Sequence, residues 1–203
     1  MSLRYRALIF DMDGTLFNTE PLHRRAWREV FGRFNITFSD EEIIRFNGSS
    51  PLDVARALIH SKECHLDPSE IAAQKKLAVE RMFAEEKIGK LPAADLVRYY
   101  AGQCPIALGT GSGADTASVL LARFDFLACF NAIVSADDVA KHKPSPDTFL
   151  RCAKLINVAP AECVVFEDSA LGIQAAANAG MDVIDVNGKT SDMLFQFIRQ
   201  VNL

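Results

Sequence analysis

No stretch of the 203-residue chain approaches the roughly 20 consecutive apolar residues that cross a bilayer, so no membrane helix is expected. Its first residues, Met1–Arg6, carry positive charge but lead only into the run Ala7–Phe10, too short for the apolar centre of a secretion signal. Long basic runs are missing as well. None exceeds Arg24-Arg25 or Lys75-Lys76, and the net charge is −4, so nucleic acid is not an expected partner. Cysteine is sparse: five residues, at 64, 104, 129, 152 and 163, odd in number and scattered. They have neither metal-site spacing nor a disulfide framework, which fits free thiols in a reducing cytoplasm. Repeats and low-complexity tracts are absent. What remains is a chain 49% apolar and 24% charged, enough for a sizeable core and unlike a disordered protein.

The stretch Leu8-Ile9-Phe10-Asp11-Met12-Asp13-Gly14-Thr15 organises the rest. A short apolar run suits a buried parallel strand. Side chains alternate along a strand, so Asp11 and Asp13 leave its end on the same side, and Gly14 lets the chain turn at once. Chemistry in open α/β sheets gathers at the carboxyl ends of strands. Two acids there can bind a hard cation or divide nucleophilic and proton-transfer work. An EF-hand is excluded because the glycine comes fourth, not sixth, and no ladder of ligands follows.

Four helices are expected next without a strand. The first opens at Pro21 with a face of His23, Ala26, Trp27, Val30, Phe31 and Phe34. Ser39 and Glu42 form a capping-box pattern for the second, and Ser50-Pro51 and Asp67-Pro68 open the third and fourth. The fourth presents Ile71, Lys75, Ala78, Val79, Met82 and Phe83 on one face, and Asn47-Gly48-Ser49-Ser50 breaks the run. After Lys90-Leu91-Pro92 helices alternate with strands at 105–109, 132–134, 163–166 and 182–186, and Gly180 stops a helix. The expected fold is α/β: a doubly wound parallel sheet covered on both faces, formed by 1–17 and 87–203, with a helical cap domain inserted over 18–86.

Four strand ends then carry polar groups: Asp11 and Asp13, Thr110 with Gly111 and Ser112, Lys143, and Glu167 with Asp168. A parallel sheet brings them to one edge. The inventory suits phosphoryl transfer, with Asp11 attacking phosphorus and Asp13 moving the proton. Mg²⁺ would offset repulsion among the anions, Thr110 would donate a hydrogen bond, the Gly111–Gly113 backbone would approach the anion, and Lys143 would supply a compact positive charge.

These motifs, in this order, resemble the haloacid dehalogenase superfamily, and the likeness covers nearly the whole chain. The helical insert resembles the cap of its β-phosphoglucomutase-like subgroup. His23-Arg24-Arg25-Ala26-Trp27, Asp147–Ala153 and Val164–Asp168 are similar to bacterial fructose-1-phosphate phosphatases of the YqaB type. The resemblance implies Asp11 as nucleophile and Asp13 as general acid and base. It implies Mg²⁺ on Asp11, the Asp13 main-chain carbonyl and Asp168, with Glu167 as ligand or support. It implies a small phosphorylated sugar, of the fructose 1-phosphate or 6-phosphogluconate type, as substrate. His23, Trp27, Gly48 and Lys75 are the cap-side residues expected to meet it, each with a plainer alternative as packing or turn residue. Asn18 stands where the subgroup usually has Asp, a departure that touches the cap hinge. The loop at Asn47–Pro51 lacks the arginine with which a mutase holds a second phosphate, which favours a phosphatase over a phosphosugar mutase.

A nicotinamide-dependent oxidoreductase is the rival suggested by Gly109-x-Gly111-x-x-Ala114. That fingerprint belongs to a first βα turn, and here the first turn is Asp11–Thr15. A receiver-type signalling module has no helical insert and carries its phosphorylated Asp later. A non-catalytic binding protein leaves the intact acid set without a purpose. His142 reads as a solvated loop residue. Oligomeric state is not legible, and a monomer is compatible with every role named.

Overall fold

A computed structural model describes residues 4–200. Strand β1 (Ala7–Phe10) lies at the centre of a five-stranded parallel sheet. It is flanked by β2 (Ile106–Gly109) and then β3 (Ala132–Val134) on one side, and by β4 (Cys163–Glu167) and β5 (Asp182–Asp185) on the other. Phe10 pairs in register with both Leu108 and Phe166, so the ends of the three middle strands are level. The chain runs outward from β1 to β3 and returns to β4, so the winding reverses beside β1. Such a switch point leaves a crevice at the strand ends.

β1, β2 and β4 are buried throughout because helices cover both faces. Alternation decides which residue meets which layer. Leu8 and Phe10 join the layer formed by α5 (Ala93–Tyr100), α6 (Ala114–Arg123) and α9 (Ser191–Gln200). Ala7 and Ile9 join the opposite layer, with Phe149 and Cys152 of α7 (Asp147–Leu155) and Ala175 and Ala176 of α8 (Ala170–Asn178). β5 is the exception to the expected apolar run: only Ile184 is buried, as suits an edge strand.

Between β1 and α5 come α1 (Glu20–Gly32), α2 (Asp40–Ile44), α3 (Pro51–Ser61) and α4 (Pro68–Glu85). The Ser39–Glu42 capping box and the Ser50 and Asp67 caps form as the sequence predicts. The α4 face is buried residue for residue, Lys75 included. On α1 the face ends at Phe31: the helix stops at Gly32, and Phe34 lies beyond it, 39% exposed. The chain entering this segment and the chain leaving it run side by side. Asn18 N–H donates to Gly89 O (2.9 Å) and Leu91 N–H to Leu16 O (2.8 Å). Asn18 itself is exposed and joins this pairing through its main chain, which any residue at that position supplies. No described helix is long and apolar enough to cross a membrane, and all five cysteines are free thiols.

Candidate active site

The crevice beside β1 holds two carboxylates in opposite settings. Asp11 follows β1 directly, and its N–H donates to Phe166 O (3.0 Å). Its Oδ1 accepts from the buried Lys143 Nζ at 2.6 Å; that ammonium also donates to Glu167 Oε2 at 3.3 Å. Oxygens of Asp11, Glu167 and Asp168 lie within 4.8 Å of one another. Burial pushes the Asp11 carboxyl well above its ordinary value; Lys143 opposes this, and crowding by Glu167, Asp168 and Asp13 adds to it. Burial and then Glu167 push Asp168 to about 7, against a hydrogen bond from Thr15 Oγ1 (2.8 Å). The same carboxylates hold Lys143 above the usual lysine range even though burial pulls the other way.

Three acids around one lysine leave an excess of negative charge on hard oxygen donors, a set that suits a divalent cation such as Mg²⁺. Their use differs. Glu167 accepts from the Asp168 and Ser169 N–H groups (3.1 and 3.2 Å), from Ser169 Oγ and from Lys143, so it is bound into the frame. Asp11 and Asp168 each have one oxygen without such a bond among the described residues. Gly14, at φ +85°, makes room for this corner. A Cβ there would stand 2.2 Å from Asp168 Oδ2.

Asp13 turns its carboxylate away from the acid cluster. It accepts from Thr19 Oγ1 (2.7 Å), Ser112 Oγ (2.7 Å) and, weakly, Thr110 Oγ1 (3.5 Å), and it faces His23 Nε2 at 3.0 Å. Burial alone would raise it, but His23 and these donors outweigh burial and hold it well below the usual carboxylate range. Geometry fixes the tautomer of His23. Lys75 Nζ lies 2.7 Å from Nδ1, which therefore accepts, so Nε2 carries the proton that Asp13 receives. Burial and Lys75 together lower the His23 imidazole, consistent with a neutral ring. Burial also brings Lys75 down to about 8, against the pull of Asp13 and Glu20. Its ammonium sits over the Trp27 ring, 5.2 Å from the centroid. Trp27 thus both lines the cleft and packs beside Phe31 in the core.

The loop between α2 and α3 closes the cleft. A Cβ on Gly111 would meet Gly48 O at 2.4 Å, so this loop rests on the turn after β2. That leaves no room for a dinucleotide pyrophosphate over Gly109–Ala114. The start of α6 is occupied too, because Ala114 N–H donates to Asp137 Oδ2 (2.8 Å). The space left in the cleft is about 50 Å³, room for a few waters and far below the roughly 300 Å³ at which ligand pockets begin.

All twelve residues singled out from sequence surround this one crevice: Asp11, Asp13, Gly48, Gly111 and Ser112, with His23, Trp27 and Lys75, line it, and Thr110, Lys143, Glu167 and Asp168 stand at its floor. Sequence reasoning missed Glu20, Arg24 and Asn47, which also line it. The signal was available for two of them. Glu20 and Arg24 precede Trp27 by seven and three residues, on the helical stripe already chosen. His142 corrects the expectation of a solvated residue. Its side chain is 20% exposed, faces Asp53 Oδ2 at 2.6 Å and reaches Ala136 O at 3.2 Å.

A central parallel sheet, a carboxylate following its first strand and a buried lysine bridging it to an acid on a fourth strand define a hydrolase site of the aspartate type. Residues 5–180 match the family model for haloacid dehalogenase-like hydrolases, and the chain belongs to that family. It is 47% identical over 183 residues to fructose-1-phosphate phosphatase YqaB of Escherichia coli, covering 90% of this chain and 97% of that protein. It is 31% identical over 181 residues to a phosphorylated carbohydrates phosphatase of Thermotoga maritima, covering 88% and 83%. The fold is similar to that of a β-phosphoglucomutase crystal structure from Clostridium difficile, with TM-score 0.82, 22% identity, and 98% and 97% of the two chains covered.

Proposed function

We propose that the chain is a Mg²⁺-dependent phosphatase of small phosphorylated sugars that works through a phosphorylated Asp11. The observation that carries this is the pair Asp11 and Asp13, two residues apart in chain but differently held. Asp11 lies among Lys143, Glu167 and Asp168, where the acids outnumber the lysine and leave charge for a cation to offset. Asp13 is gripped by hydrogen-bond donors on the opposite side. An Asp11 oxygen attacks phosphorus and the bond from phosphorus to the sugar oxygen breaks. The incoming phosphate anion opposes the low pKa of Asp13, so Asp13 binds a proton as the substrate enters and passes it to the leaving oxygen. Water then attacks the phosphorus of phospho-Asp11, Asp13 takes its proton, and inorganic phosphate departs. Lys143, with Ser112 and Thr110 at the other side, neutralises the phosphoryl oxygens. Asp11 and Asp168, with the Asp13 main-chain carbonyl, would hold Mg²⁺, which when bound supplies charge neutralisation for the transferred group.

The names of two relatives, a fructose-1-phosphate phosphatase and a phosphorylated carbohydrates phosphatase, support a small phosphorylated sugar as substrate. We assign 18–86 as a cap that moves on the paired linkers near 16–20 and 86–92, because the closed cleft is too small to admit a sugar phosphate. Free thiols fit a cytoplasmic site of action. A screen of phosphate release across hexose, pentose and sugar-acid phosphates tests the reading. Activity on several of them that is lost in excess EDTA and restored by Mg²⁺ is expected; full activity in EDTA overturns the metal assignment.

A further inference from the structure

Glu20 is the one described residue with a buried side-chain oxygen, Oε2, that has no hydrogen-bond partner. A buried acceptor left unpaired is unfavourable, so it marks a position where a donor belongs. Glu20 sits in the first turn of α1, its side chain 16% exposed, on the cleft wall with His23, Arg24 and Trp27. Arg24 does not satisfy it: its Nη1 stands 3.9 Å from Oε2, beyond hydrogen-bond range. Burial, together with the negative charges of Asp13 and Asp168, pushes its carboxyl to about 8, so the group lies within the field of the reacting centre. Arg24 stands between two acids, Glu20 at 3.9 Å and Asp40 at 3.8 Å, without a hydrogen bond to either.

From the unpaired oxygen, the cleft wall and the shared arginine, we propose that Glu20 is a specificity-determining residue that accepts a hydrogen bond from a hydroxyl of the substrate's alcohol part. This rests on the phosphatase reading above. The phosphate end of the ligand is held by the Asp11 and Asp13 side of the cleft, and Glu20 faces what is attached to it. A second phosphate or a carboxylate there would meet the Glu20 carboxyl and would have to compete with Asp40 for Arg24. A hydroxyl would fill the vacant acceptor. The class selected is therefore a monophosphate of a neutral polyol or sugar, in preference to a bisphosphate or a sugar-acid phosphate.

The test uses the whole Mg²⁺-loaded protein with fructose 1-phosphate, its deoxy analogues and p-nitrophenyl phosphate. Glu20→Ala is expected to lower kcat/KM for fructose 1-phosphate about 10–100-fold relative to the aryl phosphate. Glu20→Gln, which keeps a carbonyl acceptor, is expected to lose less. For one deoxy analogue the loss from removing the hydroxyl and the loss from Glu20→Ala should not add. Glu20→Ala should not melt below wild type, since it removes an unpaired buried oxygen. Equal losses on sugar and aryl phosphates, or a lower Tm in Glu20→Ala, would make Glu20 a structural partner of Arg24 and overturn the proposal. So would additive losses at every hydroxyl, or an unchanged preference in an active Glu20→Ala protein. Wild-type protein that hydrolyses no phosphomonoester at all would instead fail the phosphatase reading, and the proposal with it.

Discussion

Asp11 and Asp13 are the same residue type two positions apart, and their neighbours drive them in opposite directions. Asp11 is raised by burial and crowding, and Asp13 is lowered by His23 and the Thr19 and Ser112 hydroxyls. Asp11→Asn is expected to abolish turnover, because a neutral amide is a poor nucleophile. Asp13→Asn should slow the reaction by roughly 10²–10⁴-fold, the usual scale of acid–base catalysis. Phosphate-release kinetics on one sugar phosphate check both. The acid cluster also makes a pH prediction. Protons compete with a cation for Asp11 and Asp168, both raised in its absence, Asp168 to about 7. The Mg²⁺ concentration for half-maximal activity should therefore rise as pH falls through about 7. A half-activation that stays constant between pH 6 and 8 would show that these carboxylates are not the ligands. Lys75 gives a stability prediction of opposite sense. Its folded value of about 8 lies below its ordinary 10.5, so between those values the folded chain binds fewer protons than the unfolded one. Stability from this residue is thus lowest below pH 8 and rises with pH across that interval. Urea titrations should show the rise in wild type and lose it in Lys75→Met.

Each element places its share of the site by a local rule, and those rules decide what the sequence could disclose. The four polar strand ends were legible because the chain carries its acids, hydroxyls and lysine where apolar runs stop. Parallel pairing at level ends does the rest. Caps were legible for a similar reason: Ser39, Ser50 and Asp67 act on residues two or three positions away. What was not legible depends on distant segments. His142 pairs with Asp53, 89 positions earlier, and no local pattern announces that. The seating of Gly48 against Gly111 is likewise a matter of how two loops meet. Glu20 and Arg24 were overlooked because the stripe was counted from His23 onward and left out the charged residues beside it. Gly14 is the element-scale test. Its positive φ and the crowding by Asp168 both exclude a side chain. Gly14→Ala should cost more than the roughly 1 kcal/mol of an ordinary strained turn. It should also weaken Mg²⁺ activation by displacing Asp168. Retained Mg²⁺ response with only a lower Tm would separate the turn from the metal corner.

At the scale of the whole molecule, the question is what attacks phospho-Asp11. In a phosphatase it is water. In a mutase it is a hydroxyl of a second sugar phosphate, whose far phosphate has to be neutralised in the closed cleft while water is held off. The loop at Asn47–Pro51 supplies no cation. The structure brings two others to the cleft, and both are engaged. Lys75 is spent on His23 and the Trp27 ring, and Arg24 is shared by Glu20 and Asp40. Glu20, raised to about 8, adds no cation where a second phosphate would need one. Closure itself rests on contacts remote from any ligand: Lys76 to Asp115 (2.7 Å), His142 to Asp53 (2.6 Å), and Arg123 to the Phe83 and Glu86 carbonyls. On the proposal that 18–86 is a moving cap, it closes without a second anion to clamp it. Water trapped near Asp13 then has no competitor. With β-glucose 1-phosphate and a bisphosphate primer, glucose 6-phosphate is expected to form more slowly than inorganic phosphate. Arg24→Ala should leave that ratio unmoved, because Arg24 holds no distal phosphate. Faster glucose 6-phosphate formation that collapses in Arg24→Ala would reverse the assignment, making Arg24 the seat of a second phosphate and the chain a mutase.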